Sequence, residues 1–338
     1  MSIRAKRIDG QTPGGKRAIL ADLLPLDTPL LVQIFPAYAC NFRCRYCIHS
    51  VPLDQRGFVA GEKIIDFDLY RKCIDDLAEF PQKVKMLRFA ATGEPLLHPE
   101  IAEMVSYAKA QNIAHSIDIV TNGSLLTEAL SLQLINAGLD QLRISVQGLS
   151  SKAYFDVAQV KFNFEELVKK VRFFYNNRQT TKIYVKIIDI DLSEREKRLF
   201  LTTFGNISDT IAIEQLTPAV PRIDYSKLTE KSLSHAKHGK GDVPEGEVCP
   251  QPFYLLQVNP DGNVTHCCSM ETAFVTGNCR SEKLLDIWQG KKLLGIQRLQ
   301  LFKKKWKNRV CASCEEYKYA MLPEDLLDLQ AKDLLKKY

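Results

Sequence analysis

The sequence predicts an α/β protein: a partial (β/α)6 TIM-type barrel followed by a small cysteine-rich domain. Two observations carry that prediction. From residue 30 to residue 216 short apolar runs alternate with amphipathic segments, and after Pro221 the alternation stops. The ten cysteines are gathered mainly in one early loop and in the last third of the chain.

The elements follow in order. Residues 1–29 read as an irregular arm, with Pro13, Gly14 and Gly15 as breakers. Residues 30–35 (LLVQIF) are a short apolar run between prolines, which suits a buried strand. The stretch CNFRCRYC follows directly. Residues 66–79 form an amphipathic helix with Leu69, Cys73, Ile74 and Leu77 on one stripe. Residues 86–90 form a strand ending in TGEPLLHPE. Helix 101–111, strand 114–120 ending at TNG, helix 125–137 closed by Gly138, and strand 141–146 ending at QG come next. Helix 164–176, strand 182–190, helix 194–204 and strand 210–216 complete the series. Such alternation specifies a parallel sheet with right-handed crossovers. Six units are too few for a closed eight-stranded barrel, and the active site of such a sheet gathers at the C-terminal strand ends.

The expected domains are the arm (1–29), the barrel (30–225), a polar linker or substrate loop with two histidines and three glycines (226–248), a cysteine-rich domain (249–322) and an amphipathic C-terminal helix (323–338).

Composition narrows the class. The chain has 338 residues, 45% apolar and 25% charged, as in soluble globular proteins. No apolar run reaches the roughly 18 residues of a membrane helix. The start, MSIRAKRIDGQTPGGKR, lacks the apolar segment of a secretion signal, so a cytoplasmic address is expected. Cysteines in a reducing compartment point to metal ligation or catalysis rather than disulfides. The net charge of +6 lies largely in the arm and in KKKWKN at 303–308. That stretch reads as a solvated helix end or as a docking patch for an acidic substrate, peptide or redox partner. No nucleic-acid motif is present, and neither a nucleic-acid nor a membrane partner is expected.

In CNFRCRYC, Cys40, Cys44 and Cys47 supply three thiolates and no fourth. Three cysteines on a [4Fe–4S] cluster leave one iron open to a small molecule. Catalytic zinc also keeps a position open, usually with histidine or carboxylate ligands, and is the competing explanation. The spacing CxxxCxxC resembles the signature of radical S-adenosylmethionine enzymes, over residues from about 30 to 315. The resemblance implies that S-adenosylmethionine chelates the open iron and is cleaved to a 5′-deoxyadenosyl radical, which abstracts a substrate hydrogen. Tyr46 then matches the aromatic next to the adenine. Gly93 and Glu94 of TGEP resemble the family's GGEP, with Thr92 in place of the first glycine. Asn122 belongs to the matching TNG. Ser145 in ISVQG resembles the serine of ISxDG that contacts the cosubstrate; Gln147 stands where the motif has aspartate, and a neutral amide is no base. Lys186 is expected to contact the methionyl carboxylate or a substrate anion.

The second cysteine set is Cys249, Cys267, Cys311 and Cys314. It resembles the SPASM extension in its shorter twitch form, which implies one auxiliary [4Fe–4S] cluster with four protein ligands. A zinc ribbon is the alternative, although the wide first spacing suits it poorly. Cys268 and Cys279 are expected to be structural and Cys73 to be core. His49 and His98 are expected to be structural or on the surface.

The layout is similar to that of the 2-deoxy-scyllo-inosamine dehydrogenases. It implies a radical dehydrogenase acting on an alcohol of a sugar, cyclitol or related metabolite, with the auxiliary cluster as electron acceptor. A peptide maturase and a non-catalytic iron–sulfur or zinc scaffold are the alternatives. Glu214 and Asp189 are candidates for the proton acceptor, with Gln147 and Gln215 also at strand ends. The expected partners are a small molecule rather than a peptide, and a reductant such as flavodoxin or ferredoxin.

Overall fold

The computed structural model describes residues 3–8, 17–90, 92–233, 245–267, 271 and 273–338. Residues 234–244 of the expected linker, with His235 and His238, lie outside the described residues, as does Cys268.

Among the described residues ten strands form one sheet: β1 (Lys6–Arg7), β2 (Leu31–Ile34), β3 (Met86–Phe89), β4 (Ile117–Thr121), β5 (Gln141–Val146), β6 (Lys182–Asp189), β7 (Thr210–Gln215), β8 (Leu255–Val258), β9 (Asn263–Thr265) and β10 (Gly277–Asn278). Their order is β1-β7-β6-β5-β4-β3-β2-β8-β9-β10. Strands β2 to β7 are parallel and adjacent in sequence order, the arrangement of a partial six-stranded barrel.

The helices between them carry their own start signals. Asp66 caps helix Phe67–Ala78 by accepting from the amides of Asp68 and Leu69. Thr127 caps Glu128–Asn136, and Ser193 with Glu196 forms a capping box on Glu194–Phe204. Within the barrel, helix Ser151–Ala158 was not expected; Ser150 caps it and it buries Tyr154 completely. Eight residues with one buried aromatic give little periodicity to read.

The concave side of the barrel is polar below the strand ends. Asp118, fully buried, accepts three hydrogen bonds from the Arg88 guanidinium at 2.7–3.1 Å, and Arg143 lies 3.7 Å from it. Burying ions costs several kcal/mol each, so these charges persist only as a mutually paired set.

The terminal regions differ from the sequence expectation. The arm adds β1 to the barrel edge by parallel pairing of Lys6 with Thr210 and Arg7 with Ile211. Residues 323–338 are not one helix: a turn of 3-10 helix at Pro323–Asp325 and a short helix Ala331–Leu334 replace it. Asp325 and Asp328 are occupied elsewhere, by Arg17 and by the amides of Glu247 and Val248. Leu327, Ala331 and Leu334 pack with Leu20, Leu24, Val248 and Phe253, so both ends of the chain share a small second core.

The cysteine-rich region is joined to the barrel by backbone. Strand β8 pairs in parallel with β2, Leu31 opposite Leu255 and Ile34 opposite Val258. A side-chain seam reinforces the joint. Lys72 pairs with Asp76 at 2.7 Å, Asp76 accepts from the Leu284 amide at 3.0 Å, and Lys283 reaches Glu79 at 2.8 Å. The buried thiols of Cys73 and Cys279 meet there, 3.4 Å apart. Among the described residues no helix is long and apolar enough to cross a membrane.

Candidate active site

A cavity of about 320 Å³ opens at the C-terminal ends of the barrel strands. Cys40, Cys44 and Cys47 line it, and so do Tyr46, Gly93, Glu94, Asn122, Ser145, Gln147 and Lys186. The structure thus brings together every residue expected from the sequence to touch the cofactors at the first site.

The cysteine loop is held from outside. The amides of Arg43 and Arg45 donate to the carbonyls of Ala158 and Val157, at the end of the unexpected helix Ser151–Ala158. Phe42 packs edge-on to Tyr154. Gly93 is required by its backbone: φ is +138°, and a Cβ there would lie 2.0 Å from the Ala37 carbonyl oxygen.

Glu94 joins two strand ends. Its Oε1 accepts from the Leu96 amide at 3.0 Å and the Thr121 hydroxyl at 2.6 Å, and its Oε2 from the Asn122 amide at 2.8 Å. Burial pushes its carboxyl above the ordinary range, and these donors pull it part of the way back. A carboxylate has about four acceptor positions, so three donors leave room for one more. The Asn122 side chain is tied to Asn41 and Ser124, a support that sequence reasoning missed because Asn41 reads as loop filler.

Gln147 does not offer a free amide. Its carbonyl accepts the Tyr46 hydroxyl and its NH2 donates to the Ser145 carbonyl at 3.1 Å. Thr217, Ala219 and Val220, also unanticipated, line the cavity too. The Tyr225 hydroxyl accepts from the Val220 amide and donates to the Tyr46 carbonyl at 2.9 Å.

The two acidic candidates fare differently, and strand parity explains why. Along β6, Lys186 and Ile188 line the cavity, so the odd-numbered Asp189 falls on the other face. There it pairs with Lys231 at 2.5 Å and Lys197 at 3.5 Å, away from the cavity wall. Glu214, 1% exposed, does not line the cavity either. It sits behind Lys186, whose ammonium it holds at 2.7 Å, and it accepts the Tyr184 hydroxyl at 3.1 Å. Gln215 is on the wall.

The second cysteine set lines its own small cavity of about 30 Å³. Cys249, Cys267, Cys311 and Cys314 all face it, with Gln251, Lys305 and Tyr317. Lys305, read from the sequence only as part of a charge run, is therefore part of this wall.

Burial acts on both thiol sets. It pushes Cys40 up to about 12 and Cys44 and Cys47 above the usual thiol range, and Cys311 up to about 11. Thiols so placed stay protonated unless a metal takes up the thiolate charge. Among the described residues, no three Cys, His, Asp or Glu side chains stand close enough to share a single metal ion. Each set of thiols lines a void, and sulfur donors of this kind suit an iron–sulfur cluster.

Comparison with known proteins agrees. Residues 34–206 match the Radical SAM superfamily, and residues 249–315 match SPASM, an iron-sulfur cluster-binding domain. The chain is similar to a tungsten-containing aldehyde ferredoxin oxidoreductase cofactor-modifying protein of Pyrococcus furiosus, 36% identical over 315 residues, 82% of this chain and 84% of that one. It is 25% identical over 321 residues to a PqqA peptide cyclase of Bradyrhizobium diazoefficiens, 85% of this chain and 79% of that one. In fold it resembles BtrN, solved in complex with AdoMet and 2-DOIA, with a TM-score of 0.53 and 18% identity, covering 85% of this chain and 92% of BtrN. That layout is the one anticipated from the sequence.

Proposed function

The chain belongs to the radical SAM superfamily, and from that membership we propose that it is an oxidoreductase of a hydroxyl-bearing small molecule. The superfamily and the SPASM domain bind a [4Fe–4S] cluster with S-adenosylmethionine, and an auxiliary cluster. The thiol sets fit those groups: Cys40, Cys44 and Cys47 would hold the first, and Cys249, Cys267, Cys311 and Cys314 the second. When bound, these groups supply a hydrogen-abstracting radical and an acceptor for the electron left on the substrate.

The chain's own residues do the rest. Glu94 takes the methionyl ammonium in its remaining acceptor position, and Gly93 lets the backbone approach. Asn122 and Ser145 line the same wall and bind the cosubstrate's polar groups. Tyr46, fixed by Gln147, packs on the adenine. Lys186 hands its proton to Glu214 and takes the one released by the substrate hydroxyl, with Tyr184 steadying the carboxylate. Loss of a hydrogen atom, a proton and an electron turns an alcohol into a carbonyl.

The observation that carries this reading is one cavity joining three thiols to Lys186, with the buried Glu214 2.7 Å behind it. The Pyrococcus relative, named for modifying a cofactor, supports a substrate that is not a peptide. The likeness to a PqqA peptide cyclase favours peptide modification as the second reading.

The test is anaerobic reconstitution with iron and sulfide, an iron count, and an assay of 5′-deoxyadenosine with secondary alcohols deuterated at the carbinol carbon. About eight irons are expected, falling to about four in Cys44→Ala and in Cys311→Ala/Cys314→Ala. Only the Cys44 change should abolish cosubstrate cleavage. Bound zinc, or iron without any cleavage under reduction, would defeat the enzyme reading. Deuterium reaching 5′-deoxyadenosine from a peptide and from none of the alcohols would move the assignment to the second reading.

A further inference from the structure

The segment from Phe302 to Arg309 carries five cations and two large exposed aromatics beside the four-thiol cavity. Phe302 is 53% exposed and Trp306 65%, unusual for rings with no ligand to cover. Lys304 lies over the Phe302 ring at 5.2 Å and Lys307 over the Trp306 ring at 5.6 Å, so charge and ring form one surface.

The cations differ in how they are used. Lys303 is paired to Asp328 at 3.4 Å and to Glu247 at 3.8 Å. Lys305 points inward, donating to the Cys314 carbonyl at 3.2 Å and pairing with Glu315 at 3.3 Å. Among the described residues Lys304, Lys307 and Arg309 have no acidic partner. An unpaired cationic face around a central exposed tryptophan matches an acidic protein surface, since Trp and Arg dominate such contacts and charge sets the encounter rate.

Position narrows the class of partner. Lys305 lines the four-thiol cavity, Trp306 follows it, and Cys311 comes five residues after Trp306. Asn308 ties the turn to that wall, accepting from the Val310 and Cys311 amides and donating to the Ala273 carbonyl.

We propose that Phe302, Lys304, Trp306, Lys307 and Arg309 form the docking face for a small acidic electron-carrier protein that exchanges electrons at the four-thiol site. This rests on the proposed function, in which those thiols hold an electron-accepting group. One electron and no atom crosses the interface; a flavin carrier reduced by that electron takes its proton from solvent.

The test measures binding of oxidised flavodoxin to the full-length enzyme by calorimetry at low and high salt. Two variants are compared with wild type: Lys304→Glu/Trp306→Ala/Lys307→Glu on the face, and Lys152→Glu/Lys169→Glu, exposed lysines on barrel helices. Binding by wild type should weaken as salt rises. The face variant should raise Kd about tenfold or more, and the barrel variant should leave it unchanged. Stopped-flow oxidation of the reduced enzyme by flavodoxin should slow in parallel, while oxidation by a small neutral quinone should not. Three results overturn the proposal: no binding by wild type at low salt, equal Kd for wild type and the face variant, or an equal loss in the barrel variant. Iron content is measured on the same samples. A deficit of about four irons would remove the electron-accepting group, and with it the proposed function, independently of the Kd comparison.

Discussion

Lys186 Nζ lies 2.7 Å from Glu214 Oε2, and only the lysine of the pair reaches the cavity wall. Glu214, a candidate proton acceptor from the sequence, would therefore act through Lys186 under the proposed function.

Replacing Lys186 by Met takes the ammonium away from the buried Glu214 carboxylate, which keeps the Tyr184 hydroxyl. Stripping one member from such a pair costs about 3–5 kcal/mol, so a clear fall in Tm is expected. Glu214→Gln should cost less, because an amide still accepts from both neighbours. In both variants substrate oxidation should fall at least about a hundredfold while 5′-deoxyadenosine still forms. Loss of 5′-deoxyadenosine in Lys186→Met would place that lysine on the cosubstrate instead.

Glu94→Gln puts an NH2 group among three donors and removes the charge. S-adenosylmethionine affinity should drop about tenfold or more, measured by calorimetry on the reconstituted protein. The wild-type affinity should also weaken on acidification sooner than an ordinary glutamate would dictate. The ammonium needs the ionised carboxylate, and burial raises the pH at which that form is lost. The Gln variant should show no such dependence.

Two glycines make opposite predictions. Gly93→Ala drives a Cβ to within 2.0 Å of the Ala37 carbonyl oxygen at φ +138°, so iron content at the first site should collapse. Gly295, in helix Lys291–Leu301, has nothing within 4 Å of the added carbon. Gly295→Ala should raise stability by up to about 1 kcal/mol, read from chemical denaturation.

Cys73 and Cys279 touch each other rather than either cavity. Cys73→Ala/Cys279→Ala should keep about eight irons and lose about 1–3 kcal/mol of stability. An iron deficit in that variant would return one of them to the ligand set.

The barrel was legible because its strands are short apolar runs, most of them followed by a helix, several with their own caps, as at Asp66, Thr127 and Ser193. The cavity was legible because its residues sit in short motifs at strand ends. What escaped notice depended on contacts distant in sequence. Lys6 and Arg7 have no apolar pattern and become a strand only beside Thr210 and Ile211. Asp189 is one position off the inward register, a parity that a strand with mixed residues on both faces does not announce. Lys305 looks like its lysine neighbours until the chain turns it toward Cys314. The last sixteen residues contain enough leucine to suggest a helix, yet their aspartates are engaged by Arg17 and by the Glu247 and Val248 amides.

The pairing of β8 with β2 removes the barrel's open rim on that side. Hydrogen-bonded strands lie about 4.8 Å apart and do not swing on a hinge. The segment that follows Cys249 is thus tied by backbone to the strand that leads into the first cysteine loop. A chain cut before Cys249 would bare four backbone donors and acceptors along Leu31–Ile34, an invitation to edge-to-edge aggregation. Under the proposed function, an electron passing between the two sites would cross a span that includes this strand pairing.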